Sequence, residues 1–401
     1  MKFGKVGQVV LVSAIALVVA SLFTACGTLT GSTLTVGFLF VATNKQSPGQ
    51  VEVYEVNSES GSLRTIPTSP FPSGGRNPVA EAVSPDAKNL YVVNHDDNNI
   101  VQFEIGTDGK LYPQSTVNTP GSFPMALAVN AAGTFLYVVD TLQPIAGCTL
   151  TNLCPGDVAV YPIDKTTGAL GTPILNNTQY PNYWPLLLTA TSSTVLTPTA
   201  IEILPNGNNL YVSAYNANTN AGYLFGFTAN SDGTLTPLTG TSPLSLGSEP
   251  VAMTTDTASG FLYVADKLTN QISTFAVQST GALSLQATTA TGSLPSALTI
   301  FNNQYMYVTN SGDSTITTYS VSSGNLAKLS VSATDTQPIA ITVDPHNLGF
   351  LYTVNFLGNS LSGYKIDTTS GALTNAKNSP FASTVQPTAI AGIPHNGTVT
   401  K

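Results

Sequence analysis

From Phe38 onward the chain is written in short runs of alternating apolar and polar residues, separated by Asn, Asp, Gly and Ser. Residues 51–56 read Val-Glu-Val-Tyr-Glu-Val and residues 100–105 read Ile-Val-Gln-Phe-Glu-Ile. A period of two predicts strands with one face buried, and the intervening residues are those that make turns. No helical period of useful length follows the first 26 residues. The chain should therefore be all-β.

Three signals each recur seven times along this pattern. Pro-x-Ala, with apolar residues after it, appears at Pro78, Pro124, Pro198, Pro250, Pro295, Pro338 and Pro387. An apolar-aromatic pair, mostly Leu-Tyr-Val, appears at Leu39, Leu90, Leu136, Leu210, Leu262, Met306 and Leu351. Gly-x-Leu appears at Gly61, Gly109, Gly168, Gly233, Gly281, Gly324 and Gly371. From the proline to the aromatic is thirteen residues in four repeats, twelve in one and fourteen in another. Between the second and third signals runs a strand with one aromatic each: Tyr54, Phe103, Tyr161, Phe227, Phe275, Tyr319 and Tyr364.

Each repeat thus holds four strands, here called a to d: Pro-x-Ala opens a, Leu-Tyr-Val marks b, the lone aromatic marks c, and d follows Gly-x-Leu. About 50 residues and four strands per repeat is a propeller blade. The expected fold is a seven-bladed β-propeller with four antiparallel strands per blade. The pattern starts at strand b and ends with a lone strand a, Pro387 to Ile393, so the N- and C-terminal segments should share one blade. Such a clasp removes open sheet edges. The strand-c aromatics should face the next blade and fill the space between sheets, with no chemical role.

The first 26 residues stand outside this pattern. Lys2 and Lys5 precede an apolar run, Val9 to Ala20, and small residues lead to Cys26. That is the layout of a bacterial lipoprotein signal, with an ordinary secretory peptide as the other reading. The expected organisation is a signal over residues 1–26 ending at a lipidated Cys26, a flexible tether over 27–35, and one propeller over 36–401. The protein is expected in the cell envelope as a lipid-anchored monomer, on the outer membrane or the periplasmic or extracellular face. Charged residues are 8% of the chain, net charge is −8, and Arg64 and Arg76 are the two arginines. No basic stripe exists, which argues against nucleic acid. Cys148 and Cys154 are expected to form a disulfide in an oxidising compartment. A metal pair is disfavoured because no histidine lies near. No cofactor and no metal centre are expected.

Pro-x-Ala, turns such as Ser84-Pro85-Asp86, Leu-Tyr-Val-x-Asn and Gly-x-Leu together resemble the lactonase-type seven-bladed propellers. That group includes proteins similar to bacterial 6-phosphogluconolactonase, and it shades into the Tyr-Val-Thr-Asn repeat proteins. The resemblance spans Phe38 to Pro394. It implies a His- and Arg-bearing site on one face, including a Pro-His-x-His stretch opening a strand a. Here the corresponding strands read Pro124-Met125-Ala126-Leu127 and Pro198-Thr199-Ala200-Ile201, without histidine.

In a propeller, loops b–c and d–a share one face, here the top, where the resemblance places the site. Blade three, counting the clasped blade as first, has a long b–c insertion, Thr141 to Gly156, holding the cysteine pair. Its d–a connection carries Tyr180, Tyr183 and the one tryptophan, Trp184. These aromatics are expected to form a ligand-binding rim suited to sugar rings or peptide side chains. Glu81 and Glu202 put carboxylates on innermost strands where other repeats are apolar or small, and Arg76 is the expected partner of Glu81. His95 follows strand b on the top face, with Asp96 and Asp97 beside it, while His346 and His395 should lie on the other face. Arg76, Glu81, His95 and Glu202 are the candidate catalytic residues. Asn94, Asp140, Asp266, Asn310 and Asn355 share one register after strand b and are expected to cap turns.

Beside the bland reading of an extracellular scaffold with no small-molecule site, two functions follow from this. The first is a recognition platform in the cell envelope, binding an envelope protein, a glycan or a small molecule. The second is a lactone hydrolase of the 6-phosphogluconolactonase-like type.

Overall fold

The seven repeats fold as seven antiparallel sheets in sequence order. The structure is a computed structural model that describes residues 35–394 apart from 45–47, 150, 190–193, 239–241 and 345–347. Cys26, the signal, His346 and His395 lie outside the described residues.

In blade one, strands b and c are Thr35–Thr43 and Gln50–Asn57, and strand d is split into Leu63–Thr65 and Phe71–Pro72. Its strand a is Pro387–Pro394, paired antiparallel to Thr35–Thr43 with Phe40 opposite Ala391. The clasp read from the sequence is therefore present. Blade two comprises Pro78–Val83, Asn89–Asn94, Asn99–Ile105 and Leu111–Asn118. Blade three comprises Ser122–Val129, Phe135–Leu142, Asp157–Pro162 and a two-residue outer strand, Trp184–Pro185. Blade four comprises Leu196–Ile203, Asn209–Asn216, Ala221–Ala229 and an outer strand split into Leu235–Pro237 and Leu244–Ser248. Blade five holds Pro250–Thr255, Phe261–Asp266, Gln271–Val277 and Leu283–Ala290, and blade six holds Pro295–Phe301, Tyr305–Asn310, Thr315–Ser322 and Asn325–Ala333. Blade seven holds Pro338–Val343, Phe350–Asn355, Ser360–Ile366 and a split outer strand, Leu373–Asn375 and Phe381–Ala382. Among the described residues the one helical turn is His95–Asp97.

Burial follows the alternation. Strands b and c are sandwiched and almost wholly buried, while outer strands such as Asn325–Ala333 alternate exposed and half-buried. The core consists of seven apolar clusters, each joining two consecutive blades. The innermost strands pack side by side right round the ring, with Pro387–Pro394 between those of blades seven and two.

The aromatics work in two directions. Strand-b tyrosines point forward: Tyr91, Tyr211, Tyr307 and Tyr352 donate their hydroxyls to the carbonyls of Gly168, Gly281, Gly371 and Gly61 in the following blade, at 2.6–3.0 Å. Strand-c aromatics point backward, contrary to the expectation above. Tyr161 and Tyr319 donate to Asn118 and Ala290 of the preceding blade, and Phe103 packs into the cluster shared with blade one. The strand-c aromatic stands opposite the leucine of Leu-Tyr, Phe103 against Leu90, so the tyrosine one position on falls on the other face of the sheet. The glycine of Gly-x-Leu is required twice over at Gly61. Its φ is +65°, and a Cβ there would sit 2.4 Å from the Phe350 ring of blade seven.

Candidate functional site

The top face is organised by two registers. The residue before each strand-a proline adopts a left-handed φ in five blades, at Asn77 (53°), Phe123 (60°), Glu249 (55°), Leu294 (52°) and Gln337 (58°). None is glycine, so each carries the cost of a sparsely populated backbone region. The residue following strand b hydrogen-bonds to that turn. The amide of His95 donates to Asn77 O at 3.0 Å, Lys267 to Glu249 O at 3.0 Å, Ser311 to Leu294 O at 2.9 Å and Phe356 to Gln337 O at 2.8 Å. The two registers therefore meet at the top ends of the innermost strands, which line the mouth of the ring.

On blade two the mouth carries a charged group. His95 Nδ1 lies 2.7 Å from Asp96 Oδ1, and its ring packs 5.1 Å from that of Phe123. Asn77 Nδ2 donates to the same Asp96 oxygen at 3.2 Å. Partial burial pushes the Asp96 carboxyl up, but hydrogen bonds from His95 and Asn77 and the nearby Arg76 charge outweigh it and hold the group below the usual carboxylate range. Asp96 is thus ionised at neutral pH and fixes the proton of His95 on Nδ1, leaving Nε2 as the basic nitrogen. Arg76 is held by Asp97: the amide donates to Asp97 Oδ2 at 2.8 Å and Nε to Oδ1 at 2.8 Å, while Nη2 donates to the Asp96 carbonyl at 3.0 Å.

On blade five, Lys267 Nζ and Glu249 Oε1 form an ion pair at 2.6 Å, with Tyr215 of blade four close enough for its hydroxyl to feel both charges. Sequence reasoning missed this pair. The signal was available: Lys267 follows Asp266 as His95 follows Asn94, and Glu249 precedes Pro250 as Asn77 precedes Pro78.

Three expectations are corrected here. Arg76 does not pair with Glu81. Glu81 lies on an innermost strand beside Val92, whose side faces blade one, and its carboxyl is buried there with no charged partner. Burial pushes it up to about 8, with the nearby Ala42 and Ala391 amides drawing it part of the way back. Glu202 faces blade five, 3.5 Å from Thr255 Oγ1, and burial likewise pushes it up to about 8. These two acids sit in different blade interfaces and are not brought to His95.

The second correction concerns the rim. Trp184 and Tyr183 are each only 4% exposed. Trp184 is the outer strand of blade three, paired to Val158, and packs with Leu186, Leu196 and Phe225 between blades three and four. A blade whose fourth strand is two residues long closes its core with the largest available side chain. Tyr180 remains half-buried, edge-on to Tyr183 at 5.6 Å. The third concerns Asn94 and its equivalents, which are buried cross-links rather than local turn caps. Asn310 accepts from Gly292 N and donates to Thr317, and Asn355 donates to Ser362.

Cys148 and Cys154 are disulfide-bonded, with Cα atoms 5.7 Å apart. Among the described residues, no three His, Cys, Asp or Glu side chains cluster as a metal centre.

The profile of the family described as Lactonase, 7-bladed beta-propeller matches residues 38–182, 156–300 and 284–390. A 6-phosphogluconolactonase of Xenorhabdus nematophila is 26% identical over 344 residues, 85% of this chain and 95% of that protein. Solved structures share the fold, among them these two. One is a candidate 6-phosphogluconolactonase of Bacteroides uniformis (TM-score 0.72, 18% identity, 90% of this chain and 100% of that one). The other is the periplasmic gluconolactonase of Pseudomonas aeruginosa (TM-score 0.67, 19% identity, 90% and 99%). With seven four-stranded blades and a profile match spanning nearly all of them, the chain belongs to the seven-bladed β-propeller lactonase family.

Proposed function

We propose that this protein hydrolyses a sugar lactone at the top mouth of the ring, with His95 as general base. The observation that carries the reading is the 2.7 Å contact between His95 and Asp96 at the mouth of a lactonase-family propeller. In this reaction His95 Nε2 takes a proton from water as the water oxygen adds to the lactone carbonyl carbon. The tetrahedral oxyanion then collapses, the ring C–O bond breaks, and the proton passes to the departing oxygen to give a hydroxy acid. Ionised Asp96 stabilises the imidazolium that forms between the two proton transfers.

Both described cations at the mouth already hold carboxylates, Arg76 on Asp97 and Lys267 on Glu249. That favours a neutral aldonolactone over a phosphorylated one, since a phosphate clamp needs uncommitted donors. A neutral lactone also suits a chain that begins with a lipoprotein-like signal, and an anchored enzyme in the cell envelope is part of this proposal. The recognition-platform reading keeps the stapled insertion, where Ile145 and Leu153 are exposed, but loses its aromatic rim to the core.

Glucono-δ-lactone opening followed by pH-stat tests the reading, because each turnover releases a proton. Acceleration over the spontaneous rate, greater for the neutral lactone than for its 6-phosphate, is expected. A rate equal to the buffer blank across a panel of aldonolactones would refute hydrolysis.

A further inference from the structure

Blade three breaks a rule that its sister blades keep. The buried Asx at the end of strand b finds a side-chain complement on strand c. Asn94 bonds Asn99 at 2.9 Å, Asp266 accepts from Ser273 at 2.7 Å, and Asn310 and Asn355 donate to Thr317 and Ser362 at 3.0 Å. In blade three the residue opposite Asp140 is Asp157, and the residue two further on is Ala159. Two carboxylates thus face each other where an amide or hydroxyl belongs.

Both residues are 0% exposed. Asp140 Oδ2 accepts from Gly121 N at 3.0 Å, but Asp140 Oδ1 and both oxygens of Asp157 meet no donor. Unpaired charge in such a place is strongly disfavoured, so the oxygens need a cation or a proton. The charges of the pair are felt by the hydroxyls of Tyr161 and Tyr183; Thr119 and the Gly121 amide draw Asp140 part of the way down, and no lysine, arginine or histidine acts on either carboxyl. A third oxygen converges on the same space. A Cβ on Gly121 would lie 2.5 Å from the Leu142 carbonyl oxygen and 2.7 Å from Asp157 Oδ2, so glycine keeps this cradle open. Carboxylates plus a backbone carbonyl, with no nitrogen or sulfur ligand, are the donor set of a hard cation. Magnesium retains several waters, which a fully buried pair disfavours, so calcium is the better match.

We propose that Asp140, Asp157 and the Leu142 carbonyl form a calcium site that ties together the two strand ends from which the disulfide-closed insertion springs. The site shares no residue with the proposed hydrolase site and does not depend on the hydrolase reading. The competing occupant is a single shared proton. Burial pushes Asp140 up to about 7 and holds Asp157 well above its ordinary value, with the Asp140 charge adding to the effect.

The test uses the mature chain stripped with chelator, titrated calorimetrically with calcium chloride at pH 7.5 and, in parallel, with terbium, whose luminescence Tyr161 and Tyr183 would sensitise. One calcium per chain and a calcium-dependent rise in Tm are expected. Asp157→Asn should abolish both, yet melt above stripped wild type, because its amide gives Asp140 the donor that the sister blades supply. The absence of calcium heat and terbium signal in cooperatively melting wild type would overturn the proposal and leave a proton-sharing pair. Binding that survives in both Asp140→Asn and Asp157→Asn would overturn it as well.

Discussion

At the scale of single residues, the recurring motifs are explained by what they touch in the neighbouring blade. Gly-x-Leu supplies a left-handed glycine whose carbonyl receives the tyrosine of the blade before it, and the residue after the strand-a proline does similar work at the centre. Thr199, Ser296 and Thr388 donate their hydroxyls to the carbonyls of Pro250, Pro338 and Pro78 at 2.6–2.7 Å. Tyr352→Phe removes the bond to Gly61 across the closing interface and leaves a buried carbonyl unmet, so denaturant melts should show a loss of about 1–2 kcal/mol. The pH dependence follows from the buried acids. Glu81 and Glu202, with values near 8, bind protons in the folded state that the unfolded chain has already released. Their protonation contributes stability that is full below the ordinary glutamate range and is lost as pH rises toward 8. Tm should fall between pH 5 and pH 8, and the fall should flatten in the Glu81→Gln, Glu202→Gln double variant. An unchanged slope in that variant would reject this assignment. These residues also mark where sequence reading stopped. Glu81 was visible as a break in the repeat, but its environment was not. Arg76 is near it in sequence, yet the chain turns at Asn77 and hands the guanidinium to Asp97, twenty-one residues away.

At the scale of elements, legibility depended on regularity. Strands a, b and c could be placed because period two and three motifs coincide in every blade. Outer strands were harder, since blades one, four and seven split them. At each split a serine hydroxyl accepts the strand-c amide that the outer strand would otherwise bond: Ser69 from Val53, Ser242 from Gly226 and Ser379 from Gly363, all at 2.9 Å. In blade three the outer strand is almost gone, and Trp184 read as loop because only two residues around it pair. Its burial carries a prediction: Trp184→Ala empties the space between blades three and four and should cost about 3–5 kcal/mol. Native Trp184 fluorescence should be blue-shifted and unresponsive to lactones or glycans; a solvent-exposed spectrum would contradict the placement.

The propeller of residues 35–394 is a ring closed by pairing its first and last strands. Beyond the ladder between Thr35–Thr43 and Pro387–Pro394, the seam is crossed by Tyr352 to Gly61, by the amide of Thr384 to buried Glu52 at 2.6 Å, and by Thr388 to Pro78. Deleting residues 386–401 removes the innermost strand of blade one and exposes the apolar faces of Phe40 and Ala391's other neighbours in that cluster. The truncated chain should melt far below the intact one or fail to fold; an unchanged cooperative transition would mean the ring does not depend on its clasp. Ring geometry also brings these two registers from several blades to one mouth. His95 and Lys267, far apart in sequence, thereby become parts of one face, a relation that spacing could suggest only once the blade count was known. The account turns on that mouth and on His95 within it. The most direct measurement is kcat/KM for glucono-δ-lactone in wild type and His95→Gln. A fall of about 10²–10⁴-fold, with Tm unchanged, is the predicted result for loss of a general base. Equal kcat/KM in the two proteins would contradict the assignment.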